Sequence, residues 1–157
     1  MLKYLNTQVT FAEVPDEITL CINITGCKNG CKNCHSSYLA QDIGTGLTFN
    51  EVRKLIKKNS GISCIALMGG DAEPDKINTL ASFIINHYGS IKVAWYSGRQ
   101  ELNNNIDLCN FDYIKLGPYK EEFGPLNSRT TNQRFYKVNG KELVDITNKF
   151  WKHETEN

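Results

Sequence analysis

The chain has 157 residues, of which 40% are apolar and 22% are charged, and its formal net charge is +1. This length and composition predict one globular domain over residues 1–157, with a sizeable buried core. The near-zero net charge argues against binding to nucleic acid or to a membrane surface. No apolar run approaches the roughly 18 residues of a membrane span, and the N-terminus lacks a signal-peptide layout. We therefore expect a cytoplasmic protein.

Predicted strands and helices alternate along most of the chain. Apolar, β-branched runs indicate the strands, and one apolar stripe indicates each longer helix. In chain order we predict an edge strand or packed arm around Val9 and Phe11, a strand over 18–24, a short helix over 36–41, a helix after a Thr48–Glu51 capping box, a strand over 62–68, a helix over about 75–88, a strand over 91–96, a short helix over 100–109 and a strand over 111–116. This order is typical of an α/β fold with a parallel sheet and right-handed crossovers.

The last part of the chain departs from this alternation. Residues 119–131 include Gly124, Pro125 and Asn127, and form a predicted loop that is too long for a simple connector. Asn139-Gly140 lies between two strand-like runs, which is a strong signal for a β-hairpin.

Three cysteines, Cys27, Cys31 and Cys34, stand in a short polar segment directly after the strand predicted over 18–24. Three residues separate the first two cysteines, and two residues separate the second from the third. Thiolates at this spacing can point into one small volume, as a metal ion or an iron–sulfur cluster requires. A closed structural site needs four protein ligands, so three ligands leave one coordination position open.

The other three cysteines, Cys21, Cys64 and Cys109, stand among apolar neighbours and far apart in the sequence. In a reducing cytoplasm, cysteines are more often metal ligands or buried thiols than disulfides. We predict that these three residues belong to the core. Cys21 as a fourth metal ligand is the weaker alternative, because it stands in the middle of a predicted strand.

A short glycine-containing segment follows each of the later predicted strands. These segments are Gly69-Gly70-Asp71, Ser97-Gly98-Arg99 and Gly117-Pro118. Each one alone is typical of a plain turn. Ligands of open parallel sheets bind at the carboxyl ends of the strands. The coincidence of these segments with the cysteine segment therefore predicts a ligand site at that edge.

The Cys-x3-Cys-x2-Cys motif of Cys27, Cys31 and Cys34, followed by Gly69-Gly70-Asp71, resembles the radical S-adenosylmethionine superfamily. Within this superfamily, the chain is similar to the anaerobic ribonucleoside-triphosphate reductase activating proteins in three segments: Cys34-His35-Ser36, the Gly-Pro-Tyr at 117–119 and the Thr-Thr-Asn-Gln-Arg-Phe at 130–135. The likeness extends over roughly residues 6–136. An eight-stranded barrel takes about 250 residues, so the resemblance implies an open, truncated partial (β/α) barrel of mostly parallel strands with a C-terminal hairpin.

The resemblance also implies a cofactor and its ligands. Cys27, Cys31 and Cys34 would hold three irons of a [4Fe–4S] cluster, and the fourth iron would bind the amino and carboxylate groups of S-adenosyl-L-methionine. Gly69 and Gly70 would let backbone approach the methionine moiety, with their carbonyls or Asp71 accepting from its ammonium group. The other implied contacts are Ser97 and Arg99 for the ribose or carboxylate, and Asn33 and His35 for the adenosyl group.

Of the residues implied for the adenosyl group, Asn33 departs from the pattern of the superfamily, and His35 has alternative roles. Asn33 replaces the aromatic residue that many members of the superfamily carry before the third cysteine. His35 is alternatively a hydrogen-bond donor to a cluster ligand, or simply exposed.

The implied reaction is the one-electron reductive cleavage of S-adenosylmethionine to methionine and a 5′-deoxyadenosyl radical. That radical would take a hydrogen atom from a glycine Cα of the anaerobic ribonucleoside-triphosphate reductase large subunit, with a reducing electron donor such as flavodoxin. The loop over 119–131 and the late hairpin are candidate docking surfaces for the reductase. Alternatively, they only cover the sheet edge.

Two other functions remain open. One is a different radical enzyme, either an activase of another glycyl-radical enzyme or a small tailoring enzyme. The other is a structural zinc-binding module that uses Cys27, Cys31, Cys34 and His35, although the adjacent Cys34 and His35 are awkward joint ligands for a tetrahedral ion.

Overall fold

The computed structural model describes residues 1–26 and 43–151. Within these ranges, eight strands form one mixed sheet with the spatial order β3-β1-β2-β4-β5-β6-β7-β8. The strands are β1 Lys3–Thr10, β2 Thr19–Ile24, β3 Thr45–Gly46, β4 Cys64–Met68, β5 Lys92–Tyr96, β6 Tyr113–Leu116, β7 Arg134–Asn139 and β8 Glu142–Asp145. The helices are α1 Phe49–Lys58 and α2 Pro74–His87, with 3-10 turns at Leu108–Asn110 and Thr147–Phe150.

The four central strands β2, β4, β5 and β6 are parallel to one another. Antiparallel strands flank them, with β1 and β3 on one side and the β7–β8 hairpin on the other. The α/β fold, its parallel strand order and the late hairpin are thus confirmed, and the sheet is open. The predicted N-terminal strand is present, because β1 covers Val9, but it lies between β3 and β2 rather than at the edge, and Phe11 follows it and is exposed.

Both helices begin and end close to the predicted residues. Thr48 caps α1, because its hydroxyl oxygen accepts a hydrogen bond from the backbone N–H of Glu51 at 3.1 Å. The Glu51 side chain does not complete the capping box, and instead accepts a hydrogen bond from the Tyr4 hydroxyl at 2.6 Å. Pro74 begins α2, where its missing N–H leaves no helical hydrogen bond unmade.

Both helices cover the same face of the sheet. Their apolar stripes pack on the β-strand residues that point to that face, such as Ile22, Leu67 and Trp95. The Phe49 and Phe83 rings stack at 4.3 Å between centroids and connect α1 to α2. This shared core fixes the strands, and hence the edge at which the predicted ligand site lies.

The opposite face of the sheet, which we call the open face, carries no helix in the described part of the chain. Its centre holds small side chains, including Cys21, Cys64, Ala66 and Ala94, with Tyr113 and Phe135 beside them. The covering residues come from loops and from the second 3-10 turn, namely Val14, Leu126, Ile146 and Phe150. Residues 119–131 therefore contribute Leu126 to this covering layer.

Two predictions about the described residues are wrong, and both concern residues 100–109. This segment forms no α-helix, because its asparagine and aspartate side chains bond to nearby backbone instead. Asn103 accepts from the Asn105 N–H at 2.8 Å, and Asp107 accepts from the Cys109 N–H at 3.0 Å. Cys109 is consequently exposed on a short 3-10 turn rather than buried in the core. The predicted helix over 36–41 lies outside the described residues.

No helix in the described ranges combines the length and the hydrophobicity that crossing a membrane requires.

A charged cluster lies at the amino-terminal edge of the parallel strands, where it connects three of them. Glu17 is buried, and its carboxylate accepts hydrogen bonds from the Ser63 hydroxyl and the Lys92 ammonium, each at 2.7 Å. This cluster fixes the start of β2 against the starts of β4 and β5, at the edge opposite the predicted ligand site.

The first prediction concerns this cluster. The hydrogen bond between Lys92 and Glu17 raises the pKa of Lys92. The stabilisation by this pair is therefore fully present below the ordinary lysine pKa of about 10.4, and it is lost as the pH rises through the pKa of Lys92 in the folded protein. We expect Lys92→Met to lower the free energy of unfolding by about 1 kcal/mol near neutral pH. That deficit should shrink in strongly alkaline solution, as measured by urea unfolding at several pH values.

Lys54→Met, at an exposed position of α1, is the matched control and should change stability by less than about 0.5 kcal/mol. A deficit for Lys92→Met that is the same at neutral pH and well above the lysine pKa would contradict the assignment.

Candidate functional site

The glycine-containing segments after β4, β5 and β6 meet at the carboxyl edge of the sheet, as predicted. The strand-to-strand hydrogen bonding continues beyond the strands and joins these segments. The Gly69 N–H donates to the Tyr96 carbonyl at 3.0 Å, and the Gly117 N–H donates to the Arg99 carbonyl at 2.7 Å. The carboxyl edge therefore carries three consecutive turns that are bonded into one layer.

Asp71 is the main side-chain link between two of these turns. It is only 4% exposed. One carboxylate oxygen accepts a hydrogen bond from the Ser97 hydroxyl at 2.5 Å, and the other accepts from the Gly98 N–H at 2.8 Å. A buried carboxylate is stable only when such donors replace water, so this arrangement explains why an acidic residue follows Gly69-Gly70 here.

Ser97 faces inward rather than toward a ligand. It is 1% exposed, it donates to Asp71, and its hydroxyl oxygen accepts from the Arg99 N–H at 3.1 Å. The hydroxyl is therefore engaged within the protein, and Ser97 holds the turn in shape. Of the predicted ribose or carboxylate contacts, Arg99 is the accessible one.

Arg99 lies exposed at the edge of the layer. One guanidinium nitrogen donates to the Asp71 backbone carbonyl at 3.3 Å, a long hydrogen bond that orients the side chain across the β4 turn. The guanidinium has five N–H donors in a planar fork. It can thus hold this contact and also bind a carboxylate on a ligand.

Gly69 and Gly70 both have positive φ angles, +111° and +88°, which residues other than glycine rarely adopt. A Cβ on Gly70 would lie 2.5 Å from Ile77 Cδ1 of α2, so at this position glycine is also needed for packing beneath the helix. The Gly69 carbonyl accepts from the Trp95 indole N–H at 2.7 Å, and the Gly70 carbonyl accepts from the Glu73 N–H at 3.0 Å. Each carbonyl oxygen thus accepts one hydrogen bond within the protein, and a carbonyl oxygen can accept two.

A polar cavity of about 370 Å³ adjoins this edge, where β2 leads into the residues after Gly26. Its lining includes Lys3, Thr25, Gly70 and Glu73. Space for a small polar ligand is thus present next to the Gly69-Gly70 turn.

Sequence reasoning missed Lys115 and Gln133. Both are buried, and both donate to the Gly117 carbonyl, at 2.8 Å from Lys115 Nζ and 3.4 Å from Gln133 Nε2. Lys115 lies in an apolar run that predicts a strand, and no signal in that run marks it as buried. Gln133 belongs to the 130–135 segment that carries the family resemblance, which was the one signal available for it.

The cysteine candidates divide into two groups. Cys27, Cys31, Cys34, Asn33 and His35 lie outside the described residues. Within residues 1–26 and 43–151, no group of three or more histidine, cysteine, aspartate or glutamate side chains is arranged to hold a metal ion.

Cys21 and Cys64 are buried in the core, as predicted, and they lie on the open face. Burial raises the pKa of the Cys21 thiol to about 12, with the nearby Glu13 adding to the effect. Burial also raises the pKa of Cys64, and the neighbouring Glu17 acts in the same direction. Cys21 lies in the middle of β2 and Cys64 is the first residue of β4, so both thiols lie away from the carboxyl edge.

Comparisons with protein-family models, with curated proteins and with solved structures gave no match to this chain. The residues and the geometry of the carboxyl edge are therefore the basis for the function proposed below.

The second prediction concerns Asp71. Asp71→Asn keeps the size of the side chain but turns one acceptor into an N–H₂ group that faces a donor, so we expect a loss of about 1–3 kcal/mol in the free energy of unfolding. Urea unfolding monitored by circular dichroism measures it. Glu101→Gln makes the same chemical change at an exposed position and is the control. Equal stability of the two variants would show that the Asp71 bridge contributes nothing.

The third prediction concerns thiol reactivity. Because alkylation requires an accessible thiolate, iodoacetamide at mildly alkaline pH should modify exposed Cys109 before it modifies Cys21 or Cys64. The bond to Asp107 raises the pKa of Cys109, so its rate should remain below that of a free peptide thiol. Peptide mass spectrometry over time measures the rates, with the urea-unfolded chain as control. Faster modification of Cys64 than of Cys109 would contradict the described core.

Proposed function

We propose that this chain is a radical S-adenosylmethionine enzyme that activates anaerobic ribonucleoside-triphosphate reductase by generating a glycyl radical on it. One observation carries the proposal. The Cys-x3-Cys-x2-Cys segment begins directly after Gly26, where β2 ends, at the same sheet edge at which Asp71, Ser97 and Arg99 are hydrogen-bonded into one layer.

The donor set fits an iron–sulfur cluster with one open coordination position. Cys27, Cys31 and Cys34 supply three thiolates. Cys21 is buried in the middle of β2 and Cys64 is buried at the start of β4, away from the carboxyl edge, which argues against either of them as a fourth ligand. When bound by the three thiolates, a reduced [4Fe–4S] cluster would supply the electron that cleaves S-adenosylmethionine to methionine and a 5′-deoxyadenosyl radical.

The chain's own residues then bind and orient the cofactor. The accessible guanidinium of Arg99 would bind the carboxylate, and the Gly69 and Gly70 carbonyls would accept from the ammonium group. Asp71 and Ser97 hold these two turns in register. Asn33 and His35 remain the candidates for the adenosyl group.

The fold supports a substrate that is itself a protein. The parallel strands β2, β4 and β5 advance across the sheet in chain order, with both connecting helices on one face. This winding is that of a (β/α) barrel, and four parallel strands amount to half of one, so we propose an open, truncated barrel. An open side leaves room for a polypeptide loop, and the 119–131 segment and the β7–β8 hairpin are the candidate docking surfaces.

The fourth prediction tests this function. Protein reconstituted with iron and sulfide without oxygen, then reduced and mixed with S-adenosylmethionine and the reductase, should give a glycyl doublet by electron paramagnetic resonance. Cys31→Ala should lose both the cluster and the signal, because one iron loses its thiolate. Cys64→Ala should keep both and cost about 1 kcal/mol of stability, as a small core truncation does.

The outcomes separate the alternatives. A colourless protein with one tightly bound zinc ion would show a structural zinc module instead. Cleavage of S-adenosylmethionine without a glycyl signal on the reductase would show a different radical enzyme, either an activase of another glycyl-radical enzyme or a small tailoring enzyme. Loss of the cluster in Cys64→Ala would overturn the assignment of ligands.

A further inference from the structure

Lys115 places an ammonium group inside the protein at the carboxyl edge. It is the third residue of β6, and it is only 8% exposed. The flanking Ile114 and Leu116 pack in the helix-side core, so alternation puts Lys115 on the open face. A buried charge lowers stability unless polar groups replace its water, so this position invites a specific explanation.

The ammonium is bound by backbone carbonyls from two different turns. Lys115 Nζ donates to the Ser97 carbonyl at 3.2 Å and to the Gly117 carbonyl at 2.8 Å. The first carbonyl belongs to the turn after β5, and the second to the turn after β6. One cation therefore joins the two turns, as a bound metal ion would, through hydrogen bonds that its charge strengthens.

The β5 turn is consequently held from both sides. On the β4 side, Asp71 accepts hydrogen bonds from Ser97 and Gly98. On the β6 side, Lys115 donates to the carbonyl of Ser97, and the Ser97 N–H donates to the Lys115 carbonyl at 2.9 Å. The turn that carries Arg99 is thus fixed before any ligand binds.

We infer that Lys115 is a positioning residue that fixes the Ser97–Arg99 turn so that Arg99 meets the carboxylate of the bound cofactor. The link between the two turns stands on the structure alone, and the effect on the cofactor rests on the proposed function. Because the turn is already fixed, binding does not have to supply the free energy needed to order it. The binding constant for S-adenosylmethionine therefore depends on Lys115 even without direct contact.

The test has two arms, and the first needs no cofactor. Lys115→Met keeps a long side chain without the ammonium group, and Lys137→Met, at an exposed position of the adjacent strand β7, is the matched control. In the full chain without a cluster, hydrogen exchange of the amides at 97–99 and 117 should accelerate at least about tenfold in Lys115→Met and stay unchanged in the control. Unchanged exchange in a folded Lys115→Met would overturn the inference.

The second arm uses protein carrying its reconstituted cluster. The dissociation constant for S-adenosylmethionine, measured by titration calorimetry, should rise at least about tenfold in Lys115→Met at unchanged iron and sulfide content. Lys115→Arg, which keeps a buried cation with several donors, should recover part of the loss. If wild-type protein does not bind S-adenosylmethionine, the proposed function fails, and the exchange arm still decides whether Lys115 links the turns.

If Lys115→Met does not fold, Lys115→Gln takes its place. The shorter amide can donate to one carbonyl but does not bridge both, so at least one of the two turns should lose exchange protection. Full protection of both turns in Lys115→Gln would overturn the inference. Wild-type affinity for S-adenosylmethionine in a variant that has lost protection would also overturn it, because the turn would then not govern binding.

Discussion

The buried carboxylate of Asp71 is the constraint on which the candidate site depends. Its donors, the Ser97 hydroxyl and the Gly98 N–H, both belong to the chain that follows the neighbouring parallel strand. They reach it because β4 and β5 pair in register up to Met68 and Tyr96, so the two turns begin at the same height above the sheet. In an interior that excludes water, these hydrogen bonds are strong, and leaving them unmade is costly.

The sequence was most informative where local physics and topology agree. Thr48 marks a helix start through its side-chain hydroxyl and Pro74 through its missing N–H, and both helices begin at or next to these residues. The helices α1 and α2 precede β4 and β5 in the chain, and the parallel pairing of β2, β4 and β5 follows from these connections. Asn139-Gly140 specifies its hairpin in the same local way.

Prediction failed where side chains act over long range or compete with backbone. Residues 100–109 have some helical periodicity, but Asn103 and Asp107 bond to local N–H groups and end any helix. The Ser97 hydroxyl is a group that could contact a ligand, yet the direction of this side chain depends on its hydrogen bond to Asp71, which is 26 residues away in the sequence. The burial of Lys115 depends on the turns after β5 and β6, and its own neighbours in the sequence do not reveal it.

The two faces of the sheet perform different tasks. Large aliphatic side chains and Trp95 on the helix side form the main core, whereas the open face carries small residues at its centre and polar ones toward the carboxyl edge. Across that edge, Asn23, Met68, Tyr96 and Lys115 pair in one row of the parallel strands. The larger aliphatic core thus lies on the helix side, whereas loops and the second 3-10 turn cover the smaller core of the open face.

The close contact of Gly70 with α2 ties the shape of the turn to the packing of the helix. A single added carbon there would lie 2.5 Å from Ile77 Cδ1, and Ile77 is fully buried. A side chain at position 70 would therefore displace Ile77 and would also strain the backbone, whose φ is positive. A substitution in this turn would in this way disturb the apolar core beneath α2.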